Sequence, residues 1–156
     1  MNPNIQNRQI HGQNIVACIW DFDKTLIPGY MQKPLFDYFN VDENVFWTEV
    51  NQLPELYSAR GMNVSSDTIY LNHLLSYVKN GPMRGLTNQQ LEEMGGAIKF
   101  YPGLPDFFLE LSEIARHEEF SDYDFKLEHY IISTGISKII QGSEIAPYVD
   151  GIFACE

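Results

Sequence analysis

Cysteine is nearly absent: Cys18 and Cys155 are the two in 156 residues. Two are too few for a disulfide-stapled scaffold. The lack of a C-x-x-C pair and of any two histidines close in sequence among the four argues against a zinc site as well. Both cysteines fall in apolar runs that read as strands. Parallel strands could bring them near each other, but a pair of buried thiols is the expectation in a reducing compartment. Long apolar runs are missing too. None approaches the roughly 20 residues of a membrane span, and the N-terminus has no apolar signal region, so a soluble cytoplasmic protein is expected. Basic side chains are scarce, 10 Lys and Arg against 21 Asp and Glu, for a formal charge of −11. That field repels nucleic-acid phosphates and argues against a duplex-binding role. It also repels any phosphorylated small molecule, which makes a local cation more necessary at a site that binds one.

What is present fits a globular chain with one real core and a small appendage: 44% hydrophobic and 13% aromatic residues. Residues 1–13 are rich in Asn and Gln and read as a flexible tail. There is no internal repeat. The stretch that organises the rest is Ile15-Val-Ala-Cys-Ile-Trp20, a short apolar run without polar alternation, as in a parallel strand buried on both faces. It breaks into Asp21-Phe22-Asp23-Lys24-Thr25, which places two carboxylates and a hydroxyl just past a strand's carboxyl end, where open α/β sheets collect ligands. Asp is disfavoured in strands, so Asp23 marks the turn out of the sheet. One carboxylate can attack an electrophile, the other can move a proton, and together they can hold a divalent cation.

A second apolar run, His129-Tyr-Ile-Ile132, ends in Ser133-Thr134-Gly135. Asp-x-Asp-x-Thr alone is expected by chance in roughly one chain in fifty of this length. The two motifs in this order, each at a strand end with helical sequence between, resemble the first and second motifs of the haloacid dehalogenase-like (HAD) hydrolases. The resemblance implies an α/β three-layer sandwich with a parallel, Rossmann-type sheet and a small helical cap inserted after the first strand. The expected organisation is therefore core from residues 14–29 and 100–156, and cap from residues 30–99. It also implies a Mg²⁺-dependent phosphatase working through an aspartyl-phosphate on a small phosphorylated metabolite. Asp21 would be the nucleophile, since a carboxylate is already ionised at neutral pH. Asp23 would be the proton donor and acceptor, and a somewhat raised pKa would help it. Asp21, through its carboxylate, and Asp23, through its backbone carbonyl, would hold the metal, and Thr25, Ser133, Thr134 and Gly135 would bind the substrate. An acid at position 23 favours phosphatase over dehalogenase, because an alkoxide leaving group needs a proton and a halide does not.

The family's third motif, a Lys, and its fourth, an acidic pair on a further strand, have no counterpart before Glu156. The chain thus resembles the front part of such an enzyme, and without the strand bearing the fourth motif residues 15–20 would form a bare apolar edge.

The remaining pattern is helical. Residues 34–40 form a short aromatic segment. Asp42 to Leu53 places Phe46, Val50 and Leu53 on one face, with Pro54 as its stop. Ser66 can cap a helix whose Leu71, Leu74, Leu75 and Val78 share a face before Gly81-Pro82. Thr87-x-x-Gln90 is a capping box for a helix through Met94, ended by Gly95-Gly96. These helices can pack on one another as a cap or be more core. Leu104, Phe107, Phe108, Leu111, Ile114 and Ala115 form the stripe of a crossover helix that packs on the sheet. Strand two runs from about 128 to 132, a helix follows from 135 to 141, and Gly151 to Cys155 is a third strand.

Several residues also carry a plain structural reading. Ser133 and Thr134 can satisfy strand-end backbone groups. Lys24 can face the cap, and Thr25 can fix the loop. Lys138 comes too soon after Ser133 to be the family's Lys and reads as a solvated helix residue. Arg60 and Arg84 are cap-loop candidates for reading substrate, and the histidines read as surface or packing residues. Two other functions compete: a non-catalytic fragment that binds phosphate or metal weakly, and a sugar-nucleotide glycosyltransferase using Asp-x-Asp for metal. The glycosyltransferase would need a larger nucleotide-binding domain than fits here.

Overall fold

In the computed structural model the described residues are 14–123 and 125–156, so the expected tail over 1–13 lies outside them. Three strands form one parallel sheet in the order β1 (Ile15–Trp20), β2 (Lys126–Ile136), β3 (Gly151–Cys155). Six helices accompany them: α1 (Lys33–Phe39), α2 (Glu43–Ser58), α3 (Ile69–Asn80), α4 (Asn88–Gly95), α5 (Asp106–Ala115) and α6 (Ser137–Gln141). The fold is α/β, and β1 and β3 occupy the bounds expected for them. Among the described residues no helix is long and apolar enough to cross a membrane.

Helices α1 to α4 gather around the loops that leave β1 and β2. Their buried side chains, among them Phe36, Phe46, Val50, Tyr70 and Leu74, form one cluster with Phe22, Leu26 and Met31 from the loop after β1 and Ile139 and Ile140 from α6. Asp42 caps α2 by accepting from the amides of Asn44 and Val45. The helix does not stop at Pro54 but runs to Ser58. Proline forfeits one backbone hydrogen bond there, yet Leu53 and Tyr57 on either side of it pack against the buried cluster and hold the last turn in place. On α3 the capping expectation also fails. Ser66 donates to Asp67, and the helix starts at Ile69 without a side-chain cap. Its packed face is centred on Tyr70 and Leu74, leaving Leu75 63% exposed. The capping box of α4 forms as expected, with Thr87 Oγ1 accepting from the Gln90 amide while Gln90 reaches back to the Thr87 amide. Helices α4 and α6 touch backbone to backbone. A Cβ added at Gly95 would collide with the Ile139 carbonyl, and one at Gly142 with the Glu92 carbonyl.

The sheet is covered on one face. Phe108 of α5, 1% exposed, packs edge-on against Trp20 and His129, at ring-centroid distances of 5.4 and 4.8 Å. The other face carries Ile15, Ile19, Ile132 and Phe153, each at least half exposed. Over the described residues the expected three-layer sandwich is therefore two layers deep. The reading of β1 as buried on both faces fails for the same reason: α1 to α4 crowd the loop end of the sheet instead of roofing this face. Among the described residues β1 is an edge strand, paired on one side only by β2. The α5 stripe is likewise narrower than its pattern implied, since Phe107 and Ile114 remain exposed. Cys18 and Cys155 are free, on strands separated by β2.

Candidate active site

The loop after β1 is built on one buried residue. Phe22 is fully buried against Phe100, and its carbonyl accepts from the amides of Thr25, Leu26 and Ile27, which curls the chain tightly between the two carboxylates and the next segment. Lys24 takes the left-handed conformation, φ 60°, at the tip. Its ammonium donates to the Tyr30 hydroxyl at 2.6 Å and lies 4.1 Å from that ring's centroid, so it faces the helical segment rather than the carboxylates. Asp21 is exposed, and the Thr25 hydroxyl donates to its Oδ2 at 2.9 Å, which orients the carboxylate. In the structure Thr25 thus acts on the loop itself.

Asp23 sits in different surroundings. It is partly buried, and its Oδ1 accepts from the Met31 amide at 2.9 Å. Burial pushes its pKa up from the ordinary 3.8 to about 6, and the Asp21 carboxylate adds to the rise. The Met31 amide and the Lys24 ammonium pull the other way without cancelling it. Two carboxylates two residues apart therefore sit in different environments: one open and oriented, the other able to hold or release a proton near neutral pH.

The register brings the second motif alongside. Trp20 pairs with Ile131, so Asp21 and Ser133 leave the same end of neighbouring strands. The Ser-Thr-Gly segment is not a loop beyond β2 but lies within it. The strand runs to Ile136, and its pairing with β3 slips between Ile132 and Ile136, which makes residues 133–135 a bulge. Ser133 Oγ accepts from the Gly135 amide at 3.0 Å, the strand-end satisfaction read as its structural alternative, and its own proton stays available to donate. Two backbone amides of this segment are committed within the protein. The Gly135 amide is engaged by Ser133, the Ile136 amide donates to Met31 Sδ at 3.1 Å, and α6 begins at Ser137 and is five residues long. Thr134 is exposed, while its carbonyl accepts from the Tyr70 hydroxyl at 2.9 Å.

Met31, Gln32 and Tyr70 are the residues that the sequence reading missed. Met31 joins the two motifs. Its amide holds Asp23, its sulfur takes the Ile136 amide, and its Cε and Sδ occupy the space that a Cβ at Gly135 would need. Spacing to Leu74 marks Tyr70 as inward-facing, but no sequence signal names its partner. Lys138 lies 3.8 Å from Glu92 and ties α6 to α4. Arg60 and Arg84 are exposed on turns of the helical segment. His129 is a packing residue that accepts from Trp20 Nε1 at 3.2 Å.

Asp21 and Asp23 offer the hard oxygen donors that suit Mg²⁺ rather than zinc. Among the described residues no group of three or more His, Cys, Asp or Glu side chains converges to hold a metal. An ion here would be held by the Asp21 carboxylate and the Asp23 backbone carbonyl, with its remaining needs met by water or phosphate oxygens.

No protein-family model matches the chain. A protein of Borreliella burgdorferi, described only as uncharacterized, is 44% identical over 145 residues, which cover 92% of this chain and 50% of that protein. The chain spans about half the length of the curated relative it matches. Among solved structures, the magnesium-bound Bacillus subtilis protein YfnB, assigned as a HAD-hydrolase, is similar over 88% of this chain and 64% of its own. The identity is 16% and the TM-score 0.44.

Proposed function

We propose that the chain carries the nucleophile-bearing part of a HAD-type phosphatase, acting with Mg²⁺ on a small phosphorylated metabolite. The observation that supports this most is the pairing of an exposed, oriented Asp21 with a partly buried Asp23 whose pKa is raised to about 6, at the strand end shared with Ser133. In this reading an Asp21 oxygen attacks phosphorus as the ester oxygen leaves, and Asp23 gives that oxygen its proton. Asp23 then takes a proton from the water that displaces Asp21 from phosphorus, releasing phosphate and restoring the Asp21 carboxylate and the Asp23 acid. Ser133 donates its hydroxyl proton to a phosphoryl oxygen, and residues 30–99 serve as the cap. When bound by the Asp21 carboxylate and the Asp23 backbone carbonyl, Mg²⁺ would neutralise phosphoryl charge in a protein that is otherwise strongly acidic.

The test is turnover of an aryl phosphate by the full-length protein with Mg²⁺, compared with its Asp21→Asn variant. Loss of all turnover is expected, and undiminished turnover refutes the assignment. With an alkyl phosphate, whose leaving oxygen needs the proton, the rate should also fall as pH rises through about 6.

A second reading, that residues 1–156 by themselves bind phosphate or metal without catalysis, is favoured by the lack of a third acidic ligand among the described residues. It requires the longer protein to be active and residues 1–156 to be inactive. Full turnover by the shorter chain ends it.

A further inference from the structure

The bulge at residues 133–135 is held from outside the sheet by a short relay from the helical segment. The Tyr70 hydroxyl, on α3, reaches the carbonyl of Thr134 at 2.9 Å across 64 positions of sequence. A carbonyl only accepts, so the tyrosine must donate. Its oxygen keeps a lone pair free to accept, and the buried Gln32 side chain lies near enough to act on the hydroxyl as a donor would, lowering its pKa. Gln32 is 1% exposed and Tyr70 6% exposed. Burial, and next the charge of Asp23, push the Tyr70 hydroxyl well above its ordinary pKa, so it remains a donor throughout the working pH range. Gln32 directly follows Met31, whose amide holds Asp23. The same few residues that fix the proton-handling carboxylate therefore also fix the segment carrying Ser133.

We propose that Tyr70, supported by Gln32, is a positioning residue of the phosphate subsite: by anchoring the Thr134 carbonyl it sets where Ser133 and its neighbours meet a phosphoryl group. The inference rests on the phosphatase reading and adds that the helical segment helps to shape the anion site as well as covering it. A tyrosine that merely filled the core would act through its ring, which phenylalanine keeps. The hydroxyl acts on one carbonyl of one bulge.

The experiment uses the full-length protein with Mg²⁺ and inorganic phosphate as the probe. Tyr70→Phe should weaken phosphate binding roughly three- to tenfold, the effect of one hydrogen bond, and should raise KM for an aryl phosphate by a similar factor while kcat changes less. It should also speed amide exchange at residues 133–136. Gln32→Met, which frees the tyrosine without altering it, should shift phosphate affinity in the same direction. Leu74→Val, on the same face of α3 but not bonded to Thr134, serves as the control for general destabilisation. Phosphate affinity and exchange unchanged in a folded Tyr70→Phe protein overturn the inference, as does an equal loss in Leu74→Val. Absence of phosphate binding by the wild-type protein overturns the phosphatase reading and this inference with it. Wild-type binding together with an unaffected Tyr70→Phe overturns this inference alone.

Discussion

Replacing Asp23 by Asn should make the protein more stable and less active at once. Asp23 ionises near 3.8 in an unfolded chain and near 6 in the folded one. Below pH 3.8 both states are protonated and no penalty exists. Between the two values the folded state binds more protons, so stability falls as pH rises, and above about 6 the full penalty is in place. At about 1.4 kcal/mol per pH unit the ceiling is about 3 kcal/mol. Asn removes the charge and keeps an oxygen for the Met31 amide, but its NH₂ needs a partner in a partly buried position, which costs about 1 kcal/mol. A net gain of about 1–2 kcal/mol at pH 7.5 follows, turning into a loss of up to about 1 kcal/mol by pH 4, where the charge penalty is nearly gone and the cost of the amide remains. Urea unfolding at both pH values reads it. A destabilised variant at pH 7.5, or a gain independent of pH, would show that burial of the Asp23 charge was wrongly weighed. Alkyl-phosphate turnover measured on the same samples should fall at least a hundredfold, since general acid–base catalysis typically contributes that much or more.

Two further outcomes test the packing around the site. Gly142→Ala should destabilise by at least about 1–3 kcal/mol, because its methyl meets the rigid Glu92 backbone rather than a side chain that can swing away. A thermal melt reads this, and an unchanged midpoint would contradict the close approach of α4 and α6. Residues 14–156 expressed alone should self-associate through the open sheet face, and Ile19→Lys should reduce that association in light scattering. Equal scattering from both would show that the exposed face is not what associates.

The bounds of β1 and β3 were the most legible feature of the sequence. Apolar runs of five or six residues closing on Asp21 or beginning at Gly151 leave little freedom in where a strand stops, and the Thr87 capping box names its own helix start through local bonds. Where tertiary packing outweighed local preference, the reading failed. Pro54 stays helical because its neighbours are anchored, and β2 runs through Ser133–Gly135 because the strand absorbs them as a bulge instead of ending. The α5 stripe and the apolar β1 read as fully buried, yet periodicity records only a capacity for burial. What covers a face is decided by elements elsewhere in the chain. Within the site, Asp21, Asp23 and Ser133 announce themselves by residue type and spacing. Met31 and Tyr70 do not, since their parts depend on a sulfur meeting an amide and a hydroxyl meeting a carbonyl across more than sixty positions.

The central claim is that Asp21 itself takes the phosphoryl group. Acid-quenching the full-length protein during turnover of an aryl phosphate with Mg²⁺, then mapping phosphorylated peptides by mass spectrometry, tests it directly. The account predicts a phosphoryl group on the peptide that contains Asp21, absent in Asp21→Asn and longer-lived in Asp23→Asn. Turnover with the phosphoryl group on any other residue would contradict it.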